Sequence, residues 1–336
     1  MADMREDPEV TALNQRLIAD PRHMPSLLAM AELKARHGDD RAAQSFYQTA
    51  LNTATQPGAR VDPALFPRLR QGEVFIAAAA RRFADHLERG IAEAGLANGA
   101  AGARVRAALD LLLGRSEVYL QQPSMFYFPG LAQRAFFERA EFDWLPALEA
   151  ETEAIRGELL TTMQSGGFDP YVDRTPGRPA PANPLLGDPS WGARYLYRSG
   201  LPVEPNCPAT LAALRHAPMP EIAGRSPTAL FSLLKPGTHI RPHHGLLNTR
   251  LICHLPLIAP PGCALRVGAE TREWRAGETL IFDDSFQHEA WNRGTETRVV
   301  LLFEIWRPEL SADERVALTR MFETIDSYRG VTTDQG

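Results

Sequence analysis

The chain has 336 residues, which exceeds the size of an average single domain and predicts two units. Its hydrophobic fraction of 44% and charged fraction of 23% are ordinary for a globular protein, and its net charge of −5 excludes the basic surface of a nucleic-acid-binding protein. The N-terminal residues are polar and acidic, no apolar run is long enough for a membrane span, and three scattered cysteines fit a reducing compartment. We therefore predict a cytoplasmic protein with no membrane or nucleic-acid partner.

The N-terminal part of the chain is predicted to be helical. Apolar residues at helical spacing in residues 9–54 indicate helices joined by short turns, and Gly38 with two aspartates marks one turn. The residues around that turn are typical of a tetratricopeptide (TPR) unit, but a plain two-helix hairpin explains them equally well. An amphipathic helix follows from Glu73, and helical patterning continues over residues 105–120. We interpret residues 1–121 as a helical, TPR-like domain that offers a surface to a protein partner.

The composition becomes aromatic and turn-rich at the start of residues 122–326, which we interpret as a second domain. A long helix is predicted to end at Met163, with Pro146 in its first turn because a proline deeper inside would break it. The many prolines and glycines of residues 168–189 predict a loop, either a cover that faces the substrate or a surface connector. The polar residues 327–336 are expected to form a flexible tail.

Short β-rich runs alternate with turn residues between Ala229 and Pro308. The runs LFSLL, TRLICHLPLI, TREWR, TLIF, HEAW and TRVVLLFEIW are separated by proline, glycine and aspartate pairs. Regularly spaced short strands of this kind indicate an antiparallel sandwich or barrel. A short helix from Cys207 precedes the strands, and a helix capped by Ser311 follows them. The predicted fold class is therefore α+β.

Histidines and an arginine lie on these strands in an order that suits a metal site. Because successive strand side chains alternate between faces, we expect His239, Arg241 and His243 to share one side of an extended strand. A non-haem Fe(II) oxygenase site needs two neutral imidazoles and usually a carboxylate, with positions left open for other ligands. The chain offers His243, then His288, and then Arg298 ten residues later.

Four motifs carry a resemblance to a known family: FSLLKPGTHIRPHHG, NTRLICHLPL, LIFDDSFQHEAW and TRVVLLFEIWRPEL. They span residues 231–310 and resemble the aspartyl/asparaginyl β-hydroxylase family of Fe(II)- and 2-oxoglutarate-dependent oxygenases, with a looser resemblance back to Gln122. The resemblance implies a double-stranded β-helix core, jelly-roll or cupin-like, with flanking helices. The animal enzyme of this family also has a helical TPR-like region ahead of the core. Members of the family bind iron with two histidines and no carboxylate, and Gly245 stands where the carboxylate is otherwise usual.

The resemblance also implies residue roles. His243 and His288 resemble the two iron ligands, and they are the residues on which catalysis is expected to depend. Ser232 and Arg298 resemble the pair that binds the distal carboxylate of 2-oxoglutarate, and a guanidinium suits that task because it binds a carboxylate bidentately. His244 is the substitute ligand if His243 is not one.

His254 resembles a residue that contacts the other carboxylate of 2-oxoglutarate. Two residues earlier the animal enzyme has an arginine, whereas this chain has Ile252. Arg250 shares the alternating face with both residues, so it is the candidate replacement. Ile252 leaves open whether the substrate is a peptidyl Asp or Asn.

Other residues near the motifs have structural explanations as well. Asp283 and Asp284 precede the strand of His288 and either form a turn or, for Asp284, orient the His288 imidazole. His239 and His244 are interpreted as structural or substrate-facing. The tryptophans and cysteines of the core are interpreted as buried packing residues.

The sequence thus predicts a 2-oxoglutarate-dependent dioxygenase that uses Fe(II), 2-oxoglutarate and O2 to hydroxylate an unactivated C–H bond. The leading candidate is the β-carbon of an Asp or Asn residue in a peptide or protein. A small amino-acid derivative, or an acyl chain as in lipid A-modifying relatives, is an alternative substrate. The alternatives from other classes are a catalytically inactive TPR-type interaction scaffold and a non-redox cupin-like metal protein.

Overall fold

The computed structural model describes residues 8–95, 98–174, 179–203 and 207–328. The chain folds into two compact units, residues 1–117 and 118–336. The boundary predicted between residues 121 and 122 lies shortly after this division. Residues 329–336 of the predicted tail lie outside the described residues.

The first unit is helical. Tyr47 is buried among leucines of the second helix, and its ring centroid lies 5.4 Å from that of Phe75. A β-carbon at Gly72 would lie 2.6 Å from the Tyr47 ring, so this glycine allows the fourth helix to approach the third closely. The helices described in this unit are α1 (Pro8–Ala19), α2 (Met24–Arg36), α3 (Asp40–Ala54), α4 (Phe66–Glu93) and α5 (Gly99–Leu112).

Two helix bounds differ from the prediction in this unit. Helix α4 begins at Phe66 instead of Glu73, because Pro67 lies in its first turn, where a proline needs no hydrogen-bonded N–H. Helix α5 ends at Leu112 although the apolar pattern continues to residue 120, and Gly114 with φ +67° follows this end in the left-handed conformation. The turn at Gly38 between α2 and α3 was predicted correctly. That this helix pair is a TPR unit stays a prediction.

The second unit is built on two antiparallel sheets. In the larger sheet the strand order is β1-β10-β7-β12-β5-β3-β2, with β4 beside β3, and in the smaller sheet it is β6-β11-β8-β9. The strands described are β1 (Phe136–Phe137), β2 (Asp169–Pro170), β3 (Trp191–Arg198), β4 (Leu201–Pro202), β5 (Ala229–Leu234), β6 (His239–His243), β7 (Arg250–Ile258), β8 (Cys263–Val267), β9 (Glu270–Glu273), β10 (Leu280–Phe282), β11 (His288–Asn292) and β12 (Arg298–Trp306). Strands β5 to β12 alternate between the two sheets except at the β8–β9 hairpin, so the predicted α+β fold with a cupin-like core is confirmed.

Helices cover the outer face of the larger sheet. They are α6 (Leu145–Ala150), α7 (Thr152–Gln164) and α8 (Pro208–Leu214), and a fourth helix, α9 (Ala312–Ser327), closes the described chain. Helices α6 and α7 replace the single helix that was predicted, with a break at Glu151, while Pro146 lies in the first turn as expected. The predicted capping box of Ser311 and Glu314 starts α9.

The alternation along β7 separates the packing core from the inner face. Leu251, Cys253 and Leu255 point outward into the core that contains α6 and α7. Ile252 points inward and packs with residues of the smaller sheet. Polar side chains that share this inward face are therefore enclosed between the two sheets.

Residues 121–128, here called the strap, run across the loops that flank the inner face. The Gln122 N–H donates to the Ser285 carbonyl (2.7 Å), and the Ser124 N–H donates to the Gly245 carbonyl (2.9 Å). The Phe128 N–H donates to the Asn248 side chain (2.7 Å). The strap thus attaches to two separate loops at once.

A buried ion pair supports the same region. Arg307 and Asp283 are both fully buried and joined by a charge-assisted hydrogen bond. Asp283 also accepts from the side chain of Gln121 (2.8 Å) and from the backbone of Ser285 (2.9 Å). Asp283 is therefore a structural residue that fixes the turn before β11, the role predicted for it.

Candidate active site

Two histidines meet between β6 and β11. His243 and His288 are directly opposite each other in the antiparallel ladder, and their ring centroids are 4.1 Å apart. The Nδ1 atom of His243 lies 2.8 Å from the Arg241 carbonyl, and that of His288 lies 3.0 Å from the Phe286 carbonyl. Because a carbonyl only accepts, each Nδ1 carries the hydrogen and each Nε2 keeps its lone pair. Both imidazoles are therefore in the tautomer that binds a metal through Nε2.

Burial keeps both imidazole rings neutral. Removal from water lowers the pKa of His288 to about 3, and the neighbouring His243 lowers it further. The pKa of His243 is lowered for the same first reason and also by His244. A metal therefore does not have to displace a proton from either ring near neutral pH.

The structure corrects the predicted arrangement of β6. In the ladder His288 is opposite His243, but Ala290 is opposite Ile240, so one extra residue bulges from β6 near Pro242. The bulge turns His243 to the inward face with Ile240. His239 points outward instead and pairs with Glu289 (Nε2 to Oε2, 2.6 Å). The expectation that His239, Arg241 and His243 share one side is wrong. Pro242 has no N–H to donate to the ladder, so the strand bulges there and the alternation of side chains is interrupted.

Asp284 fills the space that a side chain at residue 245 would need. A β-carbon at Gly245 would lie 2.1 Å from Oδ2 and 2.2 Å from Cγ of Asp284. Burial raises the pKa of Asp284 to about 7, and its Oδ1 atom is buried without a hydrogen-bond partner among the described residues. Within the same part of the chain, no cluster of three histidine, cysteine or acidic side chains has the geometry to hold a metal ion. The site therefore offers two histidine ligands, with the Asp284 carboxyl group packed against Gly245.

A buried cation lies on the side of the site formed by β5 and β12. Arg298 is 1% exposed, and its Nη1 donates to the Ser232 carbonyl (3.1 Å). Its guanidinium carbon lies 4.6 Å from the centroid of the Trp274 ring. Burial lowers its pKa to about 10, so it remains charged at neutral pH. No acidic side chain in the described chain acts on its pKa, and a buried cation without a carboxylate partner favours an anionic ligand.

Nitrogen atoms without hydrogen-bond partners lie on and near that cation. His254 lies on the inward face of β7, with its ring centroid 6.0 Å from that of Trp274. Nδ1 of His254, Nε1 of Trp274 and Nε of Arg298 are all buried and have no hydrogen-bond partner in the described part of the protein. Ser232 is buried on the neighbouring strand. These residues fit a small ligand with several carboxylate oxygens, and the assignment of that ligand as 2-oxoglutarate stays a prediction.

Arg250, the candidate replacement for the missing arginine, lies next to two acidic residues, and its role towards 2-oxoglutarate stays a prediction. Its Nη1 donates to Oε2 of Glu304 (2.5 Å), and its Nη2 lies 3.9 Å from Oδ2 of Asp284. Ile252 separates it from His254 along the inward face. Glu304 was not predicted as a site residue, although it is a lone acid within the apolar run VVLLFEIW.

A second aromatic group closes the site near His243. The Trp191 ring stacks on Tyr171 with centroids 4.1 Å apart and lies 6.5 Å from the His243 ring. Tyr171 belongs to the loop of residues 168–189, so the described part of this loop reaches the site. Tyr171 and Trp191 were not predicted as site residues.

The model of the family described as aspartyl/asparaginyl β-hydroxylase matches residues 149–308. This segment contains β5 to β12 and every residue predicted for the site. Residues 149–308 are an aspartyl/asparaginyl β-hydroxylase family domain. The motifs that carried the resemblance lie almost entirely within it, so the predicted family is confirmed for this segment.

Relatives of the domain include proteins with different named substrates. Human aspartyl/asparaginyl β-hydroxylase is 32% identical over 206 residues, which cover 59% of this chain and 26% of that protein. Human aspartate β-hydroxylase domain-containing protein 2 is 33% identical over 213 residues, covering 60% of this chain and 55% of the relative. The ornithine lipid ester-linked acyl 2-hydroxylase of Rhizobium tropici is 34% identical over 179 residues, covering 51% and 60%. The chain thus spans only a quarter to three fifths of these relatives, whose names share a hydroxylase function.

Among solved structures, the cupin domain of Schizosaccharomyces pombe Cnp3 overlaps with 52% of this chain and 81% of that domain, at a TM-score of 0.27 and 10% identity. Separately, the described helices include none with the length and apolarity that a membrane crossing requires.

Proposed function

We propose that the protein is an Fe(II)- and 2-oxoglutarate-dependent hydroxylase that acts on the β-carbon of an Asp or Asn residue in a peptide or protein. The observation that carries the proposal is the pairing of the partly exposed His243 with the half-buried His288 on the inner face that also carries the buried cation Arg298. Neither Nε2 atom has a hydrogen-bond partner among the described residues. The family of residues 149–308 supports the hydroxylase class.

The protein's contribution is to bind and position the reactants. His243 and His288 hold Fe(II), and the backbone carbonyls at their Nδ1 atoms fix the orientation of both rings. Arg298 binds the distal carboxylate of 2-oxoglutarate as a fork, with Ser232 beside it, and His254 contacts the other end. Fe(II) with bound 2-oxoglutarate supplies the oxidising chemistry, in which one oxygen atom of O2 enters the substrate C–H bond and the other enters succinate as CO2 is released.

Asp284 has a role that follows from its position. Its carboxylate occupies the space beside the histidine pair and has an unpartnered oxygen, so it accepts a hydrogen bond from a group bound at the centre. With only two protein ligands, this contact is expected to contribute to metal affinity. The Trp191 and Tyr171 rings restrict the entry of water on the other side of His243.

The deciding experiment is an anaerobic titration with Fe(II) and 2-oxoglutarate, which follows the visible charge-transfer band of a chelated keto acid. The wild-type protein should give the band, whereas His288→Ala and Arg298→Ala should lose it. His239→Ala is the matched histidine control and should keep the band, because His239 lies on the outer face. A folded, iron-loaded wild-type protein without the band would refute the proposal and favour an inactive scaffold or a non-redox metal protein.

The substrate class is tested separately by succinate release with candidate substrates. A peptide containing Asp or Asn should stimulate release and gain one oxygen atom. Stimulation by an acyl lipid instead would move the assignment towards the activity named for the Rhizobium tropici relative.

A further inference from the structure

A cavity of about 440 Å³ lies beside helix α9, where strand β12 ends. Its volume is within the range of about 300–1,000 Å³ that is usual for small-molecule sites. Trp306 and Met219 line it from the body of the domain, and Val316 lines it from α9. Val316 is a large apolar residue that is 65% exposed, so a ligand with an apolar group would cover surface that is now in water. The residues that line the cavity include none of those predicted for the active site.

Four charged side chains line the same cavity, and two of them neutralise each other. Arg320 donates to Glu323 across one turn of α9 (Nη1 to Oε2, 3.0 Å). The other two are Arg315, also on α9, and Glu221, on the loop between α8 and β5. Neither of these takes part in an ion pair with another described residue, and they are not in contact with each other. The cavity therefore presents one cation and one anion that lack counter-ions within the described chain.

Arg315 has hydrogen-bonding capacity that the protein does not use. Its Nη2 donates to the Arg307 carbonyl at a long 3.5 Å. Its Nε is buried and has no hydrogen-bond partner among the described residues. A guanidinium has five N–H donors, and a buried donor without an acceptor is unfavourable. The Thr319 hydroxyl lines the cavity one turn further along α9. An anionic group with two oxygens is the ligand that this part of the cavity favours.

We propose that this cavity binds a free α-amino acid with an apolar side chain. The α-carboxylate pairs with Arg315, and the α-ammonium group pairs with Glu221. The side chain of the amino acid packs against Trp306 and Val316. A ligand that carries only one of the two charges would leave either Arg315 or Glu221 without a partner, so a zwitterion fits the cavity better than a simple acid or amine.

The test is isothermal titration calorimetry of the metal-free protein with L-leucine, L-methionine and L-phenylalanine. We expect saturable binding of at least one of them. The N-acetyl derivative and the carboxamide of that amino acid each lack one charge, so each should bind at least about tenfold more weakly. The inference is wrong if none of the three amino acids binds at concentrations up to about 10 mM, or if the derivatives bind as tightly as the zwitterion.

Two variants assign the binding to this cavity. Arg315→Gln and Glu221→Gln each remove one charge, and each should weaken binding of the amino acid at least about tenfold. Arg293→Gln and Glu296→Gln are the matched controls, since both residues are exposed and do not line the cavity, and they should leave the affinity unchanged. Glu221 is exposed on a loop, so its variant tests the inference even if Arg315→Gln fails to fold. Wild-type affinity in a folded Glu221→Gln protein would contradict the inference.

A third variant separates this cavity from the active site. Arg298 is the buried cation on the inner face and could itself attract the carboxylate of an amino acid. Arg298→Ala should bind the amino acid as tightly as the wild-type protein, and loss of binding in this variant would show that the amino acid occupies the active site instead. Because the titration uses neither iron nor 2-oxoglutarate, its result does not depend on the proposed hydroxylase function.

Discussion

The contact between Gly245 and Asp284 leads to a prediction about the missing third ligand. Restoring a carboxylate by Gly245→Asp looks like a simple route to a three-ligand metal site. The β-carbon of the new side chain would, however, lie 2.1 to 2.6 Å from the Asp284 carboxyl atoms. The new side chain therefore cannot reach the metal position unless Asp284 leaves a buried space and its contact with Arg250.

The cost can be divided into a steric and an electrostatic part. Gly245→Ala adds only the β-carbon and should lower the free energy of unfolding by about 1–3 kcal/mol, the usual range for overpacking. Gly245→Asp should lower it further, because two carboxyl groups would share one buried space and one of them must take up a proton. The double variant Gly245→Asp with Asp284→Ala removes the conflict, so it should recover stability and bind Fe(II) more tightly than either single variant.

The assay is urea unfolding of the metal-free protein together with a metal titration. Gly157→Ala is the matched control for an added β-carbon, since nothing lies within 4 Å of that position. If Gly245→Asp retains wild-type stability and gains metal affinity by itself, Asp284 moves at little cost. That result would show that Asp284 does not exclude a third ligand.

The remaining predictions concern the cation, the pH response and the buried ion pair. Arg298→Lys keeps the charge but loses the fork, so the affinity for 2-oxoglutarate should fall at least about tenfold in a binding titration, whereas the exposed Arg293→Lys should leave it unchanged. The pKa of His288 in the folded state, about 3, is below its unfolded value, so the unfolded state binds more protons between these two pKa values. The neutral His288 should therefore contribute fully to stability above about pH 6.5, and the free energy of unfolding should fall as the pH decreases towards 3. A urea midpoint that stays constant over this range, or the same dependence of the midpoint on pH in His288→Gln, would contradict this. Arg307→Met should lower the free energy of unfolding by about 3–5 kcal/mol because it leaves the Asp283 carboxylate buried and unpaired, and a loss below about 1 kcal/mol would show that the pair is not important.

The strands and the identity of the central residues could be predicted from the sequence because their signals are local or specific. Alternating apolar residues predicted β7 and β12, and the spacing of His243, His288 and Arg298 within the family motifs identified the residues that the fold brings to one inner face. The assignment of roles to these residues stays a prediction.

The parts that could not be predicted depend on contacts between distant segments. The bulge at Pro242 changes which face His243 occupies, and its position is determined by pairing with β11. Glu304 became relevant only when β12 and β7 placed it next to Arg250. The break between α6 and α7 at Glu151 has no proline or glycine to mark it.

The strap has a practical consequence for how the protein is cut for study. The family match begins at residue 149, yet the loop beside His243 and the turn before His288 hydrogen-bond to residues 121–128. A fragment that starts at the first matched residue would contain every predicted iron and 2-oxoglutarate contact but would expose Asp283 and leave backbone groups of Gly245 and Ser285 unsatisfied. A shortened version should therefore begin no later than residue 118, where the second unit starts.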